Sequence, residues 1–282
     1  MSAPAPATEF VTRFAPSPTG YLHRGHAFSA LTAFDAARDA GGRFLLRIED
    51  IDAERCRPEF IDAILDDLAW LGLAWEEPVM RQSERMDAYG AALQSLERRG
   101  LLYRCFKTRH EVLDDICRAP PGPRNVYVGE PLEPEIEARL VDDGRPYAWR
   151  LSLAAARGAL DGFEGLTFVD GGGISHPADP SDAGDVILAR KGLGVAYHLA
   201  VVVDDAAQGV TQVIRGEDLL DATPIQRLLQ TLLDLPAPIY LHHPLILRPD
   251  GKRFAKRDTA ETLRDLRARG VSAEALREEL GF

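Results

Sequence analysis

Between Phe10 and Arg99 the hydrophobic pattern keeps switching between two periods, and that alternation limits what the chain can fold into. "FVTRFA" (10–15) reads as a short strand. Apolar Ala27, Phe28, Ala30, Leu31 and Phe34 then recur at helical spacing from about Gly25 to Asp39, and Gly41-Gly42 stops that helix. "RFLLRIED" (43–50) is an apolar strand ending in charge. Pro58 suits the first turn of a helix to Leu71 that carries Phe60, Ile61, Ile64, Leu65 and Leu68. Another helix fits 84–99. Strand, helix, strand, helix implies an α/β fold with a parallel sheet and right-handed crossovers.

Residues 105–184 break the rhythm. "CRAPPGPRNVYVGEP" and "DGGGISHPADPSDAG" are rich in Pro, Gly or both, while "YAWRLSL" and "GLTFVD" look like strands. We read the first half of an α/β domain over 9–104, a small inserted α+β domain over 105–184, the second half over 185–250, and a loop with C-terminal helices over 251–282. "YHLAVVVDD" and "VTQVIRGEDLL" read as returning strands, the first apolar enough to be buried on both faces. A helix is expected near Thr223-Pro224, with Thr223 as its cap.

Composition excludes several classes. No apolar run in the 282 residues approaches the ~20 needed for a membrane-spanning helix. The start, "MSAPAPATEF", lacks the basic region and apolar core of a secretory signal and reads as a disordered tail before Phe10. Cys56, Cys105 and Cys117 make no disulfide framework, so a cytoplasmic setting is expected. The net charge of −11 argues weakly against nucleic acid as partner, although local patches matter more than totals. We expect a monomer.

The loop after the first strand, "FAPSPTGYLHRGH", is the main candidate for chemistry. In doubly wound sheets ligands bind outside the carboxyl ends of strands. This loop lies at such an end and runs into a helix N-terminus, which favours anions. Gly25 lets another group approach the backbone closely, and His23 and His26 can donate to phosphate oxygens. The same stretch is also compatible with a plain turn before a surface helix.

Three ordered motifs resemble those of class I glutamyl-tRNA synthetases: "RFAPSPTGYLHRGH", "RIEDID" (47–52) and "VIRGEDLL" (213–220) followed by "TPIQ". Within that family the chain is most similar to the short paralogues, the glutamyl-Q tRNA(Asp) synthetases, which lack an anticodon-binding domain, as this chain is expected to. The resemblance implies a Rossmann-like sheet. It also implies a glutamate site made by Arg13, Phe14, Ala15, Pro16, Ser17, Glu49, Tyr197 and Arg215, and ATP contacts from His23, Gly25, His26 and Lys256. Glu49 would accept from the substrate ammonium and Arg13 would grip the side-chain carboxylate. Alternatively, Arg13 or Arg215 pairs with Glu49 or Asp50, and Tyr197 is a core tyrosine. Leu46 and Ile48 are core residues, and His242 and His243 are structural or surface residues.

Two departures from the family stand out. The second ATP motif, K-[ML]-S-K-x, appears as "RFAKR": Arg253, Phe254, Ala255, Lys256 and Arg257. Lys256 is retained, Arg253 keeps the first charge, and Ala255 loses a hydroxyl. Many of the short paralogues carry zinc in the insert on C-x-C, a Tyr and a later Cys. Here Cys105 and Tyr127 remain, Lys107 stands at the second position, and Cys117 lies twelve residues past Cys105. One thiolate and a phenol cannot complete a tetrahedral site, so no metal site is expected. Packing of Tyr147, Trp149, Leu151 and Phe168 would support the insert instead.

The resemblance implies two steps: activation of L-glutamate by ATP with Mg²⁺, then transfer to the queuosine base in the anticodon loop of tRNA(Asp). Arg24, Arg248, Lys252, Arg253 and Arg257 could hold the loop's phosphates. Catalysis would rest on positioning and charge stabilisation, with His23, His26 and Lys256 at the phosphates. The alternatives are a minimal synthetase charging the tRNA 3′ end, an inactive RNA-binding paralogue and an unrelated nucleotidyltransferase.

Overall fold

The computed structural model describes residues 9–118, 126–192, 194–246 and 261–282. The expected N-terminal tail and Arg248, Lys252, Arg253, Phe254, Ala255, Lys256 and Arg257 lie outside the described residues. The expected strands and helices of the opening form, and an unexpected strand, at Glu76–Arg81, follows the helix that begins at Pro58. β1 (Val11–Phe14) leads to α1 (Arg24–Asp39), β2 (Arg43–Ile48), α2 (Pro58–Trp70), β3 (Glu76–Arg81) and α3 (Met86–Arg98). The three strands are parallel in the order β1-β2-β3, with Arg13 opposite Leu45.

The next stretch has its own antiparallel sheet. The elements are β4 (Leu102–Cys105), α4 (Arg109–Arg118), α5 (Pro134–Asp142), β5 (Ala148–Leu151), α6 (Leu153–Ala159), β6 (Thr167–Val169), β7 (Ser175–Pro177), β8 (Ile187–Arg190) and β9 (Gly194–Val195). The sheet runs β4-β5-β8-β9, and β6 and β7 form a separate hairpin. Leu151 and Phe168 are buried in the core as expected. Tyr147 and Trp149 are only partly buried, and the Arg104 guanidinium lies over both rings, 4.3 Å from the Trp149 centroid. The insert is also anchored by a carboxylate. Buried Asp185 accepts from the Tyr103 hydroxyl and from the N–H groups of Gly129 and Leu153, each at 2.9 Å.

The chain then forms α7 (Tyr197–Ala207), β10 (Gln212–Gly216), α8 (Thr223–Leu232) and β11 (Ile239–His243), in which β10 and β11 make a two-stranded sheet alongside the first, and α9 (Leu263–Ala268) and α10 (Ala273–Leu280) follow. β10 and β11 are parallel, and β10 lies beside β1, where Thr211 N–H donates to the Val11 carbonyl at 2.9 Å. Two expectations are corrected here. "YHLAVVVDD" is the helix α7, not a strand. A run that is apolar on nearly every side carries no period, so a buried helix and a buried strand read alike. Thr223 is not the cap of α8 either. The 3₁₀ turn at 217–222 runs straight into that helix, Ala222 is the cap, and the Thr223 hydroxyl is used elsewhere.

Helices cover both faces of the parallel sheet. Phe14, Phe44, Leu46, Ile48 and Ile214 pack on one side with α1, α2, α9 and α10. Val11, Leu45 and Val213 pack on the other with α7 and α8. Strand alternation therefore sends Arg13, Arg47 and Arg215 to the α7–α8 face. Replacing Asp185 with Ala would leave a buried hydroxyl and two backbone N–H groups without their acceptor. We expect a stability loss of about 2–4 kcal/mol, read as a lower urea midpoint. An unchanged midpoint would show that Asp185 does not anchor the insert.

Candidate active site

The three strand arginines sit in different electrostatic settings. Asp205 of α7 accepts from Arg13 Nε at 2.9 Å and from Arg47 Nη1 at 2.7 Å. Arg47, fully buried, also reaches Glu49 at 3.1 Å and Gln208 at 2.9 Å. Burial disfavours its charge, but Asp205, Glu49 and Asp204 outweigh burial and raise its pKa. Burial likewise pushes against ionised Asp205, yet Arg13 and Arg47 hold its carboxyl below the usual range. Asp204, the preceding helix residue, turns to other partners: Gln82, Arg85 and Tyr89, at 2.6–2.9 Å.

Arg215 differs. Its guanidinium donates to Gln226 Oε1 at 2.7 Å, Thr223 Oγ1 at 2.8 Å and His242 Nε2 at 3.2 Å. Among the described residues none of its hydrogen-bond partners is a carboxylate. Burial lowers its pKa. The pairings foreseen for Arg13 or Arg215 with Glu49 or Asp50 do not form. Glu49 goes to Arg47, and Asp50 accepts from the Ser83 N–H and hydroxyl at 2.8 and 2.7 Å.

Of the eight residues expected to hold glutamate, three line a common cavity, and Arg13, Phe14, Ala15, Pro16 and Arg215 are not in its wall. Ser17, Glu49 and Tyr197 line one open cavity of about 640 Å³ together with Thr19, Gln82 and Arg190. The Pro16 carbonyl accepts from Glu49 N–H at 3.0 Å, which fixes the loop against the end of β2. Phe14 turns its ring into the core, and Pro16 is buried. Burial pushes the Glu49 carboxyl up against the pull of Arg47 and Arg13, so a cationic ligand group would stabilise its ionised form. Burial also raises the Tyr197 phenol, with Glu49 acting in the same direction and Arg215 opposing it.

Three of the expected ATP contacts, His23, Gly25 and His26, line a second cavity of about 260 Å³ with Ser29, Gly216, Asp218 and His243. His23 caps α1. Its Nδ1 accepts from Gly25 N–H at 3.1 Å, while His26 Nδ1 accepts from His23 N–H at 3.2 Å. An accepting Nδ1 carries no proton, so each neutral ring holds its proton on Nε2. The group that comes close to Gly25 is the imidazole of His23: a Cβ at that position would lie 3.1 Å from the ring.

Sequence reasoning missed two networks: Arg47, Asp204 and Asp205 around Arg13, and Thr223, Gln226 and His242 around Arg215. The available signals were an arginine inside an otherwise apolar strand and two acids closing an apolar run. His242 and His243 are not surface residues. His242 touches Arg215, and His243, 6% exposed, bonds Ser29 at 3.0 Å. In the insert, Cys105 Sγ lies 3.7 Å from the Tyr127 hydroxyl, and Lys107 pairs with Asp115. Among the described residues no group of three or more His, Cys, Asp or Glu is placed to hold a metal ion, and no helix is long and apolar enough to cross a membrane.

Two stability outcomes follow from these settings. Arg47→Met leaves Asp205 and Glu49 without their central partner and should cost about 3–5 kcal/mol. Arg215→Met removes a cation held only by neutral groups and should cost far less. Equal urea midpoints for the two variants would overturn the distinction. The second outcome is pH dependence. Burial and then Arg215 lower His198 and His242, each to about 4. The unfolded chain thus binds more protons between about pH 6.5 and 4, and these groups' stabilisation is lost as pH falls through that window. Asp205, itself depressed, contributes a loss only below its unfolded value of 3.8. Glu49 and Asp67, raised by burial, act with the opposite sign. We expect His198→Asn to lose less stability than the parent between pH 7.5 and 5, and identical losses would contradict the assignment.

Comparison with known proteins agrees with this geometry. A family model described as tRNA synthetases class I (E and Q), catalytic domain, matches residues 9–281. A glutamyl-Q tRNA(Asp) synthetase from Rhodobacter capsulatus is 48% identical over 96% of this chain and 100% of its own length. One from Nocardia farcinica is 46% identical over 96% of this chain and 83% of its own. A solved glutamate tRNA ligase from Elizabethkingia meningosepticum, in complex with its amino acid, superposes with a TM-score of 0.73 at 29% identity. It covers 89% of this chain, which spans about half (52%) of that ligase.

Proposed function

The chain belongs to the class I tRNA synthetase family for glutamate and glutamine, and from that premise we propose that it activates L-glutamate with ATP and transfers it to the queuosine base of tRNA(Asp). The observation that carries the glutamate reading is Arg215, a buried guanidinium beside Tyr197 whose hydrogen-bond partners are neutral. A side-chain carboxylate would supply the missing counter-charge. Arg13, already chelated by Asp205, is left to shape the site and add to its positive field. Glu49 takes the substrate ammonium, and Ser17 and Tyr197 bound the cavity. The backbone of Phe14, Ala15 and Pro16 supports the loop.

The α-carboxylate of glutamate attacks the α-phosphorus of ATP, the bond to the β-phosphate oxygen breaks, and pyrophosphate leaves. Magnesium enters with the nucleotide as its counterion. The Nε2–H groups of His23 and His26 face developing charge on the phosphates, at a helix N-terminus whose dipole favours it, and Gly25 leaves room for the His23 ring. Lys256 is the proposed α-phosphate contact. In the second step a queuosine hydroxyl attacks the adenylate carbonyl and AMP departs. The names of the relatives support that acceptor.

The test has two arms. Glutamate should support ATP–pyrophosphate exchange without tRNA, and Arg215→Met should raise the KM for glutamate far more than that for ATP. Labelled glutamate should then enter tRNA(Asp) only when queuosine is present and map to the anticodon fragment after ribonuclease digestion. Label on the 3′-terminal fragment, or on tRNA lacking queuosine, would make the protein a minimal tRNA-charging enzyme instead.

A further inference from the structure

Arg215 is held by a cradle made only of neutral acceptors, and the fold fixes each of them. Thr223 and Gln226 stand three residues apart in the first turn of α8, so they share one helix face. His242 is the strand partner of Arg215 across β10 and β11. A guanidinium only donates, so the Gln226 carbonyl oxygen must face Arg215 and its amide nitrogen must face away. That nitrogen is buried, on a residue 1% exposed, and makes no hydrogen bond of good geometry among the described residues. Its polar neighbour is the Tyr197 phenol, on which it acts as a donor, and Tyr197 lines the cavity, so the amide lies on that side of the cradle. A buried N–H with so poor an acceptor is unfavourable, and native structures rarely keep one without a use.

We infer that Gln226 determines the preference for an acidic over an amide side chain, by holding Arg215 without neutralising it and by donating its own amide N–H to the substrate carboxylate. This rests on the reading of Arg215 as the carboxylate site. A glutamate side chain offers two acceptor oxygens to Arg215 and Gln226. A glutamine side chain would turn an N–H towards one of these donors and leave both the buried donor and the charge uncompensated. Asp205 shows the contrasting case on the same sheet face: it chelates Arg13 and supplies the counter-charge internally.

The experiment measures amino-acid-dependent ATP–pyrophosphate exchange with glutamate and glutamine on the full-length protein and two variants. The parent should favour glutamate by about 10²-fold or more in kcat/KM. Gln226→Glu keeps the acceptor but adds a charge. It should raise the KM for glutamate at least about tenfold and narrow or reverse the preference, because the new carboxylate can accept from the glutamine amide. Gln226→Met should weaken glutamate without that gain for glutamine, which separates charge from packing. A Gln226→Glu protein with a parental melting transition and the parental glutamate-to-glutamine ratio would overturn the inference. Should that variant fail to fold, His242→Glu brings the same counter-charge from β11 and carries the same expectation. A parent with no glutamate-dependent exchange would overturn the functional reading itself.

Discussion

Asp205 holds the site in its shape. One carboxylate, buried on α7, bonds arginines from two neighbouring strands and joins the helix to the sheet where the ligand loop departs. Buried charges are tolerable only when they are paired and hydrogen-bonded. The parallel register of β1 and β2 and the docking of α7 are therefore linked by the same contacts that position Glu49. Asp204 extends the linkage to Gln82, Arg85 and Tyr89, so the cavity floor and the start of α3 are tied to the same helix.

Against that neutralised pair, Arg215 is the exception. It lies on the same sheet face, equally buried, yet its hydrogen bonds go to a hydroxyl, an amide and an imidazole. Burial keeps His242 neutral at physiological pH, so the imidazole can serve as an acceptor. The arginines thus divide by their partners. Those with internal carboxylates bind the fold together, and Arg215 is held by neutral acceptors. A separate device, the paired imidazoles, caps α1 through Nδ1.

Much of this was legible in the chain. Two strands and three helices of the first hundred residues follow from their hydrophobic periods, while β3, largely exposed and rich in charge, carries no such signal. The loop from Pro16 to His23 was recognisable as one that leaves a strand and enters a helix N-terminus. α7 was not legible. Its residues 199–202 are all buried, and an apolar run enclosed on every side has no polar face to reveal its period. His242 was expected as a structural or surface residue, and its contact with Arg215 was not legible because a strand histidine says nothing of its neighbours.

The sequence by itself determined the order and type of most elements and the parallel sheet, because these depend on periodicity and on backbone preferences local to each segment. The tertiary structure decided which acid answers which arginine. Arg13 and Asp205 are 192 residues apart in the chain, and Arg47 and Asp205 are 158 apart. Nothing local distinguishes them from Arg215, which carries the same side chain at the end of a similar strand. Only the docking of α7 over β1 and β2, and of α8 beside β10, settles which guanidinium receives a carboxylate and which receives neutral acceptors. Electrostatic compensation is a property of distances across the folded molecule, and it is set when the helices pack on the sheet.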